Sequence, residues 1–231
     1  MDPLVLVNEL DRADERLSTS VAKLPDDLAV AQPSLLPQWT RGHLLTHLAR
    51  HADAMVNLLT GVRTGVPTPG YASPQARADA IRAGAGRPLA EQLADLRAAT
   101  DRLAATCRET TAEEWTRQLA PPDGPQVAAR IPWRRLREVE VHHVDLLVGY
   151  EPDDWSESFA HRLLHEVAAG LDGVDLTLNV AGIGHPVLIG AGGPEISGTA
   201  AQLAAWLTGR SDGYDLGLPP GGALPDLPDW M

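Results

Sequence analysis

Apolar residues recur at helical spacing in one segment of the chain after another. Leu4, Val7, Leu10, Leu17 and Val21 form a single stripe, which predicts a first helix over residues 3–23 that Pro25 stops. A Pro-rich connection leads to Trp39. Thr40 is then placed to cap a second helix, RGHLLTHLARHADAMVNLLTG, with Leu44, Leu45, Leu48 and Met55 on its core face and Gly61 at its end. After the loop TGVPTPGYASPQARAD, Ser73 as N-cap and Pro74 at the first helical position start another helix. A third long helix is expected roughly from Leu89 to Cys107, and Thr111 with Glu114 three residues later is a capping box opening a short turn. Pro121, Pro122, Gly124 and Pro125 break the chain. WRRLREVEVHHVDLLVG, Trp133 to Gly149, then reads as one helix, apolar over much of its surface through Leu136, Val139, Val141, Val144, Leu146 and Leu147. Such a helix belongs inside a bundle. Residues 1–152 are therefore expected to form a four-helix bundle.

The pattern changes after Tyr150. EPDDWSES is an acidic linker and cap, followed by the helix FAHRLLHEVAAGL. VDLTLNVAGIG and HPVLIGAG alternate and are flanked by glycines, as strands are. GPEISGTAAQLAAWLTGR predicts a short strand, a cap at Ser197 or Thr199, and a helix; the Pro-rich tail is irregular. Residues 153–231 thus form a small α+β region. A region of that size buries little core alone, so it is expected to pack on the bundle.

Polar residues inside the apolar Trp133–Gly149 helix carry the chemical interest. Glu138 and His142 are four apart and project from one face, and Asp145, three further on, stays near it. Stacked this way, a carboxylate and an imidazole are able to share a metal ion, although such a pair serves equally as a plain hydrogen-bonded contact and needs a third ligand from elsewhere. The second helix carries His43, His47 and His51 on one stripe. His47, in the middle, is the natural third ligand. The outer two lie one turn away on either side, ~6 Å along the axis, and are expected not to ligate. The plain alternative makes His43 a hydrogen-bonded core residue and His51 a solvated one.

Composition narrows the function. A net charge of -12 argues against a nucleic-acid backbone or an anionic membrane surface as partner. An acidic small molecule remains compatible if cations are placed locally. Hydrophobic residues at 44% and charged ones at 22% are the balance of a globular protein with a sizeable core. Cys107 is the only cysteine, which excludes an internal disulfide, and its setting in ATDRLAATCRET reads as a buried structural thiol. The N-terminus lacks the basic and apolar regions of a signal peptide, and no apolar run approaches the ~18 residues of a membrane span. A soluble, cytoplasmic protein is the expectation.

PSLLPQWTRGHLLTHLARHADAMVNLL, TPGYASPQARADAI, WRRLREVEVHHVDLLVG and AWLTGRSDG, in this order, resemble the mycothiol-dependent maleylpyruvate isomerases of the DinB-like superfamily of metal-dependent bundle enzymes. The W-T-x-x-H-L-x-x-H and R-E-x-x-x-H-x-x-D-L patterns mark the superfamily; the G-Y-A-S-P-Q-A-R loop and the C-terminal region are closer to the isomerases. The resemblance implies a DinB-like four-helix bundle and one zinc ion on His47, Glu138 and His142. It implies mycothiol as a thiol cofactor and an anionic small-molecule substrate, with no nucleic-acid or membrane partner. The implied reaction is cis–trans isomerisation of maleylpyruvate to fumarylpyruvate, by thiolate addition to the double bond, rotation and elimination. Arg210, in T-G-R-S-D-G, is implied to reach the site from the C-terminal region as a catalytic anion partner; the plain alternative is a helix-end cation on the last carbonyls. Tyr71 is implied in substrate binding. Glu140 and His143 stand where more apolar residues are expected, which leaves the substrate open. A mycothiol S-transferase of the same fold and a non-catalytic metal-binding bundle are the competing functions.

Overall fold

In the computed structural model, which describes residues 3–119, 126–228 and 230, the first apolar stripe folds as helix α1, Pro3–Ala22. It buries Leu6, Val7, Leu10, Leu17 and Val21, while Leu4 faces outward. Helix α2, Arg41–Thr64, starts at the Thr40 cap. The Thr40 hydroxyl accepts from the His43 backbone N–H, and the His43 ring accepts from the Thr40 backbone N–H, which closes a capping box. Gly61 does not end α2. The helix runs on to Thr64 and closes at Gly65, whose left-handed φ of 72° suits a residue without Cβ. Gly61 instead admits the returning chain, since a Cβ there would lie 3.0 Å from the Thr68 nitrogen.

Helix α3, Pro74–Gly84, begins at Ser73, whose hydroxyl accepts from the Ala76 N–H. Helix α4 spans Leu89–Glu109, and the short α5, Ala112–Trp115, opens with the Thr111–Glu114 capping box. The expected break at Pro121, Pro122, Gly124 and Pro125 lies outside the described residues. Helix α6 is Ile131–Asp145. α2 packs on α4, α3 and α6, and α1 packs on α6 and α4, so the four long helices α1, α2, α4 and α6 make the bundle. The chain divides into two compact units, residues 1–149 and 150–231.

α6 ends four residues before Gly149 because its final carbonyls are claimed from elsewhere. The Leu35 N–H donates to the Asp145 carbonyl at 2.8 Å, and the Arg41 guanidinium donates to the carbonyls of Leu146 and Leu147, both at 2.7 Å. Leu147 adopts a φ of 55° and is exposed, not a core residue. Two of the polar residues on α6 are bound towards α1. Arg135, fully buried, donates to the Leu48 carbonyl at 2.7 Å and to Asp14 at 3.1 Å, and Glu140 accepts from Arg16 at 2.5 Å.

In the second unit, Ser156 caps helix α7, Glu157–Gly170. Strands β1 (Leu176–Val180), β2 (Val187–Ile189) and β3 (Glu195–Gly198) form one sheet in the order β2-β1-β3. β1 and β2 are antiparallel with Leu178 opposite Val187; β1 and β3 are parallel with Leu178 opposite Ile196. The period of two buries Leu176, Leu178 and Val180. Thr199, not Ser197, caps helix α8, Ala200–Leu207, through a capping box with Gln202, and α8 packs on α7. The chain is thus mainly helical with a small three-stranded sheet. No helix among the described residues is long and apolar enough to cross a membrane.

Candidate metal centre

α2 and α6 bring together the residues that the spacing singled out. His47 projects from α2 towards Glu138 and His142, one turn apart on α6. Glu138 Oε2 lies 2.9 Å from His47 Nε2 and 3.4 Å from His142 Nε2. One donor atom from each residue falls within 4.8 Å of the others, the only such trio of potential ligands among the described residues. The His47 and His142 rings stand nearly perpendicular, at 82°, with centroids 5.0 Å apart. His47 is buried, whereas the Glu138 and His142 side chains keep 13% and 15% of their surface exposed, so the cluster is open on one side.

The charges are arranged for coordination. Burial pushes the His47 pKa down to about 4 against an opposing hydrogen bond from Glu138, so its ring is neutral at pH 7. Burial alone would raise the Glu138 pKa; the neighbouring His51, His142 and His47 instead hold it well below the usual carboxylate range. His142 moves the other way. Burial would lower its pKa, but hydrogen bonds to Asp145 and Glu138 outweigh that and raise it. Asp145 Oδ2 sits 2.8 Å from His142 Nδ1 and is itself fully buried. It fixes the ring so that Nε2 points at Glu138. The sequence placed Asp145 near this face without giving it a task.

The outer histidines of the α2 stripe stay out of the trio. Their surroundings are the reverse of the plain expectation: His51 is buried and His43 is the more exposed. His43 sits at the helix start, where its ring completes the Thr40 capping box. His51, two turns deeper, stacks edge-on against His47 with centroids 5.9 Å apart, and burial pushes its pKa well below the ordinary value. Cys107 is buried too, and burial pushes its thiol up to about 12, which makes it a poor nucleophile. His143 and Glu140 are buried beside the trio on α6.

Arg77 is the residue that the sequence reading missed. It lies in the first turn of α3, and its Nη2 is 3.2 Å from His47 Nδ1. Its guanidinium also stands 5.8 Å from the centre of the Tyr71 ring. Tyr71 is thereby placed beside the cluster; its hydroxyl is buried without a well-formed hydrogen bond, and burial raises its pKa. The one signal in the sequence was an Arg three residues after Pro74, in a loop already expected to shape a pocket. Arg210 belongs to the second unit, just after α8. Its backbone N–H donates to the Ala205 carbonyl at 2.7 Å, its side chain donates to the Thr208 carbonyl at 2.6 Å, and its guanidinium lies 5.4 Å from the Trp230 ring centre. Locally it is a helix-end cation.

The sequence matches the family model described as the mycothiol maleylpyruvate isomerase N-terminal domain over residues 10–147. Among solved structures, the chain is similar over its whole length to a crystal structure of the mycothiol-dependent maleylpyruvate isomerase. The identity is 27%, 100% of this chain and 98% of that one are covered, and the TM-score is 0.89. A crystal structure of a histidine-to-alanine mutant of the mycothiol-dependent maleylpyruvate isomerase matches with the same identity and coverage at a TM-score of 0.88. Among curated proteins none matches.

Proposed function

The chain belongs to the mycothiol maleylpyruvate isomerase family, a family of isomerases, and from that membership we propose that it converts maleylpyruvate to fumarylpyruvate with mycothiol as cofactor and a zinc ion on His47, Glu138 and His142. The observation that carries this reading is the convergence of His47 Nε2, Glu138 Oε2 and His142 Nε2 on one partly open point. The donor set suits the ion. Two imidazole nitrogens and a carboxylate oxygen are ordinary zinc ligands, and three protein ligands leave a coordination position free, as catalytic rather than structural sites do. The buried Asp145 behind His142 is the supporting carboxylate that metal-bound histidines characteristically have.

His47, Glu138 and His142 would hold the zinc ion, which would supply the charge that favours the thiolate form of mycothiol, the nucleophile for reversible addition to the cis double bond. The chain's own residues prepare that chemistry. His47 offers a lone pair without first losing a proton at neutral pH, because burial has already removed it. Glu138 brings the single negative charge of the ligand set, so that a zinc dication held there would keep one net positive charge, which a thiolate would then balance. Asp145 holds His142 in the rotamer and tautomer that ligation needs. Arg210 is the proposed partner of a substrate carboxylate or the developing enolate, on the resemblance of its T-G-R-S-D-G segment. Arg210→Lys and Arg210→Ala should then both lower kcat/KM by about 10²-fold with zinc content unchanged, because an ammonium lacks the planar fork. Near-normal activity in both would leave Arg210 as the helix-end cation its local bonds describe.

The reading as a whole is tested by following maleylpyruvate and fumarylpyruvate with the zinc-loaded protein, with and without mycothiol. Turnover that needs the thiol without consuming it is expected. Accumulation of a stable thiol adduct would make the protein an S-transferase, and no reaction in the presence of both would overturn the proposal.

A further inference from the structure

Among the described residues, no carboxylate pairs with the guanidinium of Arg77. Elsewhere in the first unit, guanidinium groups near carboxylates are paired: Arg135 with Asp14, Arg16 with Glu140, Arg50 and Arg87 with Asp95, Arg102 with Asp53. Arg77 makes no ion pair among the described residues, although the chain carries a net charge of -12. Among the described residues its guanidinium lies 3.2 Å from His47 Nδ1, on a ring whose far nitrogen faces Glu138.

We propose that Arg77 is a substrate-binding residue, whose guanidinium takes one carboxylate of a dicarboxylate-type substrate beside the His47–Glu138–His142 cluster. The identity of that substrate as maleylpyruvate rests on the function proposed above; the anion site itself does not. Three observations carry the inference. The first is electrostatic. A guanidinium against one ligand of a cation site is repelled by any cation held there, and an anion between the two relieves both. The second is orientation. The Tyr71 ring lies beside the guanidinium plane at 5.8 Å, which restrains the fork that a carboxylate meets with two parallel hydrogen bonds.

The third observation is support. α3 is held against α2 by contacts that leave no room for a Cβ: one on Gly42 would lie 2.0 Å from the Ala85 carbonyl oxygen, and one on Gly84 would lie 2.6 Å from Thr46 Cγ2. The buried Gln92 amide donates to the carbonyls of Ala85 and Arg87 and accepts from Thr46. A binding group on a short helix is precise only when such packing fixes the helix.

Maleate, a cis-dicarboxylate that carries no ketone, is the probe. Titrated into the zinc-loaded full-length protein by calorimetry, it should bind wild type, and Arg77→Ala should weaken that binding by about 30-fold or more. Arg77→Lys should recover only part of the loss. Zinc content and melting temperature should stay at wild-type values. In turnover, KM for maleylpyruvate should rise by a similar factor while KM for mycothiol is unchanged. Maleate affinity within threefold of wild type in Arg77→Ala overturns the proposal, as does a wild type that binds no maleate. If Arg77→Ala loses zinc or fails to fold, Arg77→Gln, which keeps a donor without the charge, decides: loss of maleate binding with zinc retained supports the anion site, and retained maleate binding overturns it. A wild type that binds maleate through Arg77 but does not isomerise maleylpyruvate keeps the anion site and removes the proposed substrate.

Discussion

Replacing Gly42 by Ala tests the packing that fixes α3 against α2, one turn from His47. A Cβ at this position would stand 2.0 Å from the Ala85 oxygen, 3.1 Å from the Ala85 carbonyl carbon and 2.9 Å from Gln92 Nε2. Optimal non-bonded separations are about 3.5 Å, so one backbone has to retreat by more than ~1 Å. The Gln92 side chain cannot absorb the whole movement, because the closest atom belongs to the main chain. The retreat also stretches the buried bond from the Gln92 amide to the Ala85 carbonyl, now 3.0 Å. Overpacking costs about 1–3 kcal/mol and a weakened buried hydrogen bond adds about 1 kcal/mol. Against this, Ala gains up to ~1 kcal/mol of helix propensity over Gly. A net loss of roughly 1–3 kcal/mol follows, or about 2–12 °C in melting temperature for a chain of this size. Thermal melts of the full-length protein measure it. Gly86→Ala is the control: an added Cβ there meets nothing within 4 Å, so that variant should melt at or slightly above wild type. If Gly42→Ala melts as late as wild type, the close approach of α2 to the end of α3 is not the constraint described.

Asp145→Asn should weaken zinc binding by about 10- to 100-fold without unfolding the protein, as removal of a carboxylate behind a metal-bound histidine does; a competition titration with a chelator reads it, and unchanged affinity would remove Asp145 from the support of His142. Zinc binding should release about one proton at pH 6: His47, with a pKa of about 4, has none to lose, whereas His142, raised above its ordinary 6.5, must give its proton up. Affinity should therefore climb with pH until His142 is deprotonated and then level; calorimetry in two buffers of different ionisation enthalpy counts the proton, and release of none would contradict His142 as a ligand. Arg135→Ala strands the Asp14 carboxylate in the core, at a cost of about 3–5 kcal/mol in urea denaturation, and a loss below ~1 kcal/mol would refute the buried pair.

What the sequence made legible was what one stretch of chain decides. Caps at Thr40, Ser73 and Thr199 depend on a few neighbouring residues and were readable, as was the shared face of Glu138 and His142, which the helical repeat dictates. What depends on residues distant in the chain was not. Helix α6 was read too long because nothing near Leu146 announces that Arg41 takes its carbonyl. Gly61 looked like a stop, yet its purpose is to admit residues 66–68. His43 and His51 are the same residue type on the same stripe; only the position of the helix end and the depth of the core separate a cap from a buried ring. Arg77 escaped because its task rests on how α3 lies across α2, which is settled by Gly42, Gly84 and Gln92, residues with no chemical signature of their own.

Metal content of the purified protein after exhaustive desalting bears most directly on the account. Wild type and His43→Gln should each retain about one zinc per chain, because His43 only caps α2. His47→Ala and His142→Ala should each retain close to none while keeping their helical content. Full retention of zinc in both of these variants would contradict the centre formed by His47, Glu138 and His142.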